Sequence, residues 1–246
     1  MRARCVLVEA LLQVKTYAAV NAAHGHVMDL LRLCRSDNMG VRDLAPALKL
    51  RLGRDQECYD FCKWWATCDE DGDYDWGDME EPYLDVKGAD VFESPHEIFI
   101  REFDSLSHSV AITLLKIRLL MDLRALQNSS IIRNKVPQEI LNEVRRQLVS
   151  GSAIAENVRI INATDQTPLI QKLEVQVQDL YKAVKKSNKH FWPALLSPGK
   201  HLTAQPEFSS SGSLEEMQIV LQSSFDAWTE TPGAIDMIRE IGGVRN

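Results

Sequence analysis

Apolar residues recur three and four positions apart along most of the chain, and this spacing constrains the fold more than any other feature. One early run contains Val6, Leu7, Ala10, Leu11 and Val14. Such spacing places apolar side chains on one face of an α-helix. We find no convincing run of alternating apolar and polar residues, and no Asn-Gly or Asp-Gly hairpin between two β-rich runs. The sequence therefore predicts an all-α fold.

Two helical segments within residues 1–66 look related to each other. Ala23, Val27 and Leu30 align with residues that each lie 35 positions later: Cys58, Cys62 and Trp65. Repeats of about 34 residues, each a helix hairpin, are typical of tetratricopeptide arrays. The string "LRLCRSDNMGVRDLAPALKLRLGRDQECYDF" resembles that family, and Leu52 and Gly53 resemble its turn between paired helices. The resemblance implies tetratricopeptide-like helical hairpins, which is an α-solenoid architecture.

The composition changes after residue 66. Residues 67–93 contain eleven acidic residues and one basic residue, Lys87, together with glycines and a proline that interrupt helices. Helical spacing then returns. We therefore predict helical hairpins over 1–66, an acidic connecting loop over 67–93, and a C-terminal helical bundle over 94–246 that packs on the first region as one unit.

Several element boundaries follow from local signals in the C-terminal region. One long buried helix is predicted from Pro95 to Leu126, and capping patterns predict later helix starts at Thr167 and Ser213. A last short helix is predicted from Pro232. The string "HFWPALLSPGKHL" has two prolines and no periodicity, so we predict a loop whose apolar side chains enter the core: Phe191, Trp192 and Leu195.

The string "DEDGDYDWGDMEE" (69–81) is the stretch that most invites a functional interpretation. A calcium loop beginning at Asp69 would use four carboxylates, namely Asp69, Asp71, Asp73 and Glu80. The register places Tyr74 where that loop needs glycine, which weighs against calcium. General-acid chemistry by a close pair such as Asp75 and Asp78 has no accompanying nucleophile. The favoured interpretation is an exposed acidic loop anchored by Tyr74, Trp76, Tyr83 and Leu84.

Thiols and imidazoles in the first third offer a second candidate metal site. Cys58 and Cys62 lie four positions apart on a predicted helix, and Cys68, His24 and His26 supply further possible zinc ligands. The same two cysteines also occupy packing positions of the repeat, where a free cysteine is a common small core residue. Core packing is the favoured interpretation, and zinc binding is the alternative.

Signatures of nucleophilic catalysis and of nucleotide binding are absent from the sequence, including G-x-S-x-G, the P-loop and G-x-G-x-x-G. No catalytic residue and no cofactor is predicted. If the hairpins stack, the polar residues expected to line their concave surface and bind a peptide are Asn38, Arg42, Asp55, Glu57 and Asp60. Alternatively, Arg42 and Asp55 make capping or salt-bridge contacts within the repeats.

The overall charge and the cysteine count limit the partners and the cellular location expected for the protein. A net charge of −7 argues against nucleic acid or an anionic membrane as the main partner. Five cysteines without a recognisable secretory signal indicate reduced thiols, and therefore a cytoplasmic or nuclear location. The longest apolar run, 109–126, is interrupted by four charged residues, which makes it a poor membrane span.

A second resemblance covers roughly residues 1–240. The strings "RLCRSDNMGVRDL", "LRLGRDQECYDFCKWW", "DYDWGDMEEPYLDVKGADVFE" and "WPALLSPGKHL" resemble a group of fungal helical proteins without an assigned function, some of which carry a MYND-type zinc finger. The eight-ligand Cys/His set of that finger is absent here, so zinc binding does not follow. The resemblance implies an intracellular fungal protein and no particular activity.

Together these patterns predict a non-enzymatic interaction module or scaffold that binds a protein or peptide through helical-repeat grooves. Two alternatives stay open. One is a metal-dependent enzyme or calcium-binding protein that uses 69–81, and the other is a structural fragment of a larger MYND-finger regulator.

Overall fold

Helices form the regular structure of the residues that the computed structural model describes, which are 1–69, 72–100, 105–129 and 138–243. Within these ranges the α-helices are α1 (Arg2–Val14), α2 (Tyr17–Leu33), α3 (Ala45–Arg51), α4 (Asp55–Thr67), α5 (Leu106–Ser129), α6 (Gln138–Leu148), α7 (Ser152–Ala155), α8 (Val158–Asn162), α9 (Thr167–Ser187), α10 (Phe191–Leu196), α11 (Leu214–Thr229) and α12 (Ala234–Gly242). A 3-10 helix, Gly199–Thr203, precedes α11. No strand occurs in the described ranges, which confirms the predicted all-α fold.

Helix α5 lies at the centre of the molecule. Apolar residues occur on all of its faces, and most of its 24 residues are buried. A helix that is apolar all round is typical of a protein core. Helix α9 packs along α5, and α3, α4, α11 and α12 contact it as well.

The predicted start of this central helix was wrong. Residues 95–100 form turns, in which the Pro95 carbonyl accepts a hydrogen bond from the Phe99 amide at 2.8 Å, and α5 begins only at Leu106. Phe99 packs edge-on against Tyr59 of α4, with 5.6 Å between the ring centres. Because Phe99 packs on a helix that is distant in sequence, residues 95–100 do not form the helix that the local spacing predicted.

The first four helices pack in chain order, α1 on α2, α2 on α3 and α3 on α4. Ala23 of α2 and Cys58 of α4 are both fully buried, and so are Val27 and Cys62. Helix α3 has only seven residues. The eleven residues between α2 and α3 are held by Asp37, whose carboxylate accepts hydrogen bonds from two backbone amides at 2.9 Å, those of Val41 and Arg42.

The helix starts and the loop predicted for the C-terminal region are only partly confirmed. Helix α11 begins after Ser213 as predicted, and the Ser213 hydroxyl accepts a hydrogen bond from the Glu216 amide. Helix α9 begins at Thr167, but the predicted cap was wrong, because Gln166 occupies the N-cap position and its side chain makes no capping hydrogen bond. The predicted loop at 190–202 was wrong, because α10 and the 3-10 helix form there. Pro193 lies in the first turn of α10, where a missing amide proton costs nothing.

The aromatic residues of this segment reach the core as predicted. Phe191, Trp192 and Leu195 are at most 2% exposed. The predicted start of the last helix at Pro232 is corrected to Ala234, because Gly233 before it adopts a left-handed φ of 85°.

An ionic network joins the N-terminal helices to α11. The Arg51 side chain, 3% exposed, donates from Nε and Nη2 to the Glu230 carboxylate at 2.8 and 2.7 Å, and its Nη1 lies 3.5 Å from Asp226. Lys15 also donates to Asp226 at 2.9 Å. A single cluster of apolar side chains extends from α1 to α12.

Candidate functional site

The acidic connection folds back along α4 from its C-terminal end towards its N-terminal end. Near residue 60, the Asp60 carboxylate accepts hydrogen bonds from the amides of Gly88 and Ala89, each at 2.9 Å. The Glu93 carboxylate accepts hydrogen bonds from the Tyr59 hydroxyl and the Lys63 ammonium. Closer to the start of α4, the Gln56 side chain donates a hydrogen bond to the Ala89 carbonyl. The connection therefore covers one side of α4.

Five aromatic rings meet where the connection begins, and we name them the aromatic cluster: Trp64, Trp65, Tyr74, Trp76 and Tyr83. Trp64 makes edge contacts with each of the others, at ring-centre distances from 4.9 to 6.2 Å. Edge contacts between rings are favourable because the positive ring edge meets the negative ring face. Tyr74, Trp76, Tyr83 and Leu84 are half-buried, as expected of the anchors of this loop.

Two arginines lie against the aromatic cluster. The Arg42 guanidinium is 4.8 Å from the Trp65 ring centre, and Trp76 stacks on Trp65 with 5.5 Å between centres and 16° between planes. The Arg35 guanidinium is 5.0 Å from the Tyr83 ring centre. A cation over an aromatic face is attracted by the ring quadrupole. The exposed part of the cluster thus already accommodates guanidinium groups.

Arg35 also fixes the shape of the connection. Its two terminal nitrogens donate hydrogen bonds of 2.8 to 2.9 Å to three backbone carbonyls, those of Asp78, Met79 and Glu81. Hydrogen bonds from a charged donor are roughly twice as strong as neutral ones. One side chain therefore closes the acidic connection into a defined loop.

Replacing Arg35 with glutamine is expected to release residues 74–83 while the helices stay folded. The variant loses charged hydrogen bonds that contribute about 1.5–3 kcal/mol each when buried, and less at this partly exposed position. We expect faster amide hydrogen exchange across 74–83 and faster cleavage after Glu80 by a glutamate-specific protease.

The matched control is Arg32→Gln, which removes an exposed arginine that pairs only with Asp29 on its own helix. Its exchange and cleavage rates should equal those of the parent. Equal rates in the Arg35 variant and the parent would show that Arg35 does not order the connection.

Four carboxylates of the connection face solvent. Asp73, Asp75, Asp78 and Glu80 are all exposed. Asp75 and Asp78 each accept a hydrogen bond at 2.8 Å from an amide two residues ahead, that of Gly77 and Glu80 respectively. Each of these two carboxylates thus caps its own turn, while Asp73 and Glu80 expose theirs in the same stretch of chain as Tyr74 and Trp76.

The residues predicted to contact a partner lie in different environments. Asn38 and Glu57 are exposed, and Arg42 is half-buried on Trp65. Asp55 is 0% exposed and Asp60 is 6% exposed, so both carboxylates face the interior of the fold. Glu57 pairs with Lys49 at 3.2 Å. The fold therefore does not bring these five side chains to one surface.

Asp55 belongs to a buried ionic group that the sequence did not indicate. Its Oδ1 lies 3.3 Å from Nη2 of Arg118, and Asp122 of α5 accepts hydrogen bonds from the Ser150 and Gly151 amides at 2.9 Å. Burial raises the pKa of Asp55 to about 6, against the opposing effect of Arg118. The group joins α4, α5 and the segment before α7.

Lys116 is a second buried ion that the sequence analysis treated only as an interruption of an apolar run. Its ammonium donates to the Val91 and Glu93 carbonyls at 2.6 and 3.0 Å and to Oε1 of Gln176 at 2.8 Å. Burial lowers the pKa of Lys116 to about 7. This side chain attaches the end of the acidic connection to α5 and α9.

The carboxylates of the predicted calcium loop are not gathered in the part of the chain that the structure describes. Asp69, Asp73 and Glu80 are exposed, and Asp69 accepts a hydrogen bond from the Tyr74 amide. Asp71 lies outside the described residues. Across the described ranges, no group of three or more His, Cys, Asp or Glu side chains could hold a metal ion. The calcium hypothesis stays a prediction.

Three of the predicted zinc ligands, Cys58, Cys62 and His24, are buried. Cys58 and Cys62 are fully buried, and the Cys58 thiol donates to the Pro46 carbonyl at 3.5 Å. Burial raises the pKa of the Cys62 thiol well above its usual value and lowers that of His24 to about 4. A thiol must lose its proton to bind zinc. These surroundings favour the core-packing interpretation of both cysteines.

Comparisons with known proteins add no assignment to this geometry. No protein-family model, curated protein or solved structure matches the chain. The resemblance to the fungal group therefore stays a prediction. Among the described helices, none combines the length and the apolar character needed to cross a membrane.

Proposed function

We propose that this chain is a non-enzymatic interaction module that binds a basic segment of a partner protein at the start of the acidic connection. The observation that carries the proposal is that exposed carboxylates alternate along the chain with Tyr74 and Trp76 of the aromatic cluster. Arg42 already lies on Trp65, so this surface suits a guanidinium or ammonium group. Aromatic and acidic side chains together attract cationic side chains of a peptide.

The proposed partner site lies on the acidic connection and not in the grooves between helices. Tyr83 donates a hydrogen bond to the Leu31 carbonyl of α2 and contacts Trp64 of α4, so the connection lies across both helices. A partner would therefore meet the connection first. We further propose that α1 to α4 are two tetratricopeptide-like hairpins and that the protein acts in the cytoplasm or nucleus.

Binding can be tested with the full chain and a short fluorescent peptide of alternating lysine and glycine, followed by anisotropy. The double variant Asp73→Asn/Glu80→Gln removes two exposed carboxylates that cap no turn among the residues the structure describes. Exposed ion pairs contribute about 0.2–1 kcal/mol each, so we expect several-fold weaker binding. Trp76→Leu is expected to weaken binding roughly two- to five-fold by removing a stacked ring.

The matched control is Glu207→Gln/Glu215→Gln, which removes the same net charge at two exposed positions elsewhere. Its affinity should match that of the parent protein at 0.15 M salt, where charges more than about 8 Å away are screened. Equal weakening in both double variants would mean that binding reflects net charge and not this surface. A glutamate–glycine peptide that binds equally well would refute the proposal.

A further inference from the structure

A cleft of about 300 Å³ opens between α5, α9 and α12. Leu120 and Val177 form its floor and are 2% and 1% exposed. Met237 and Ile241 of α12 form one wall and are half-buried. The volume is at the lower end of the range for ligand-binding clefts, and four of the eight lining residues are apolar while the other four are polar or charged.

Charged residues line the mouth of the cleft. Arg124 and Glu174 form an ion pair with 2.7 Å between Nη2 and Oε1, and each is 45% exposed. Glu240 lines the other side and forms no ion pair within the described part of the chain. Two carboxylates and one guanidinium leave the mouth with a net negative charge.

We propose that this cleft binds a small organic cation with an apolar stem, such as a primary alkylammonium. The alkyl stem would lie on Leu120 and Val177, and the ammonium group would face Glu240 at the mouth. The Arg124–Glu174 pair neutralises itself, so Glu240 supplies the uncompensated charge. An anion of the same size would meet that carboxylate, and a neutral alcohol would gain only the burial of its stem.

The test uses protein labelled with ¹³C on its methionine methyl groups, because Met237 lines the cleft. Its signal is assigned by its loss in Met237→Leu. Pentylammonium chloride is titrated at pH 7, and 1-pentanol and sodium pentanoate are titrated in parallel. We expect saturable movement of the Met237 signal with pentylammonium, weaker binding of pentanol, and no saturable movement with pentanoate.

Charge selectivity is tested with Glu240→Gln, which keeps the size of the side chain. We expect it to weaken pentylammonium binding roughly two- to five-fold and to leave pentanol unchanged. The control Glu215→Gln, on the exposed side of α11, should bind pentylammonium as the parent does.

Three results would overturn the proposal. The first is a Met237 signal that does not saturate with any probe. The second is equal affinity for pentanol and pentylammonium, and the third is unchanged pentylammonium affinity in Glu240→Gln. None of them bears on the peptide surface at the acidic connection, because no residue is shared between the two sites.

Discussion

Replacing Lys116 with methionine is expected to destabilise the protein by about 3 kcal/mol, measured by urea unfolding at pH 7. The methionine fills a similar volume but leaves the Val91 and Glu93 carbonyls and the Gln176 amide oxygen without their donor. Two of these acceptors belong to the main chain, so no apolar substitution can remove them. Unsatisfied buried acceptors cost about 1–3 kcal/mol each.

The contribution of Lys116 should also depend on pH in a defined direction. Burial lowers its pKa from 10.5 to about 7, so the unfolded chain holds this proton over a range in which the folded protein has released it. Stability rises with pH wherever the unfolded state binds more protons. The stability of the parent relative to Lys116→Met should therefore rise between pH 7 and about 10 and stay level below pH 7.

The control for both measurements is Lys185→Met, an exposed lysine on α9, which should change stability by less than about 0.5 kcal/mol. A parent-to-variant difference that stays constant from pH 6 to pH 9 would contradict the lowered pKa. A Lys116→Met protein as stable as the parent would contradict the assignment of Lys116 as a structural donor.

Replacing Gly151 with alanine is expected to cost about 2–3 kcal/mol. The added Cβ would lie 2.3 Å from Oδ2 of Asp55 and 3.3 Å from Oδ2 of Asp122. Asp55 is 0% exposed and lies 3.3 Å from Arg118, so its carboxylate has no solvent into which it can move. The variant must therefore separate the buried ionic group or displace the segment before α7.

Gly25→Ala is the matched substitution, because Gly25 lies in the middle of α2 and its Cβ would meet no atom within 4 Å. It is expected to stabilise the protein by about 0.5–1 kcal/mol, since alanine favours the helix. Combining Gly151→Ala with Asp55→Ala should give a cost that is smaller than the sum of the two single changes. Additive costs would show that the alanine methyl does not act through Asp55.

Helices could be predicted where the pattern that specifies them comes from residues close together in the chain. The spacing of apolar residues identified α2, α4, α9 and α11, and the Ser213 cap placed the start of α11 because its hydroxyl bonds the helix's own amide. The failures at Pro95 and at 190–202 have different causes. Phe99 packs on Tyr59, which is distant in sequence, and α10 within 190–202 was missed because Pro193 lies in its first turn, where a proline is tolerated.

The candidate site was only partly predictable, because part of it depends on contacts between residues that are distant in sequence. The anchors Tyr74, Trp76 and Tyr83 could be recognised because aromatic residues within an acidic run must bury their rings somewhere. Arg35 was missed, since three carbonyl groups more than forty positions away decide its role. Asp55 was predicted to contact a partner or to make a capping or salt-bridge contact within the repeats, but it pairs with Arg118 of the central helix.

The contact between α3 and α11 has a consequence for how the protein is made. The buried residues of α3 and the Arg51–Glu230 ion pair need a helix whose sequence lies 179 positions later. At a synthesis rate of about 5–20 residues per second, that helix leaves the ribosome roughly 10–35 s after α3. The nascent chain therefore carries an incomplete N-terminal half until α11 has been synthesised, and chaperones that shield apolar helices should associate with it during that interval.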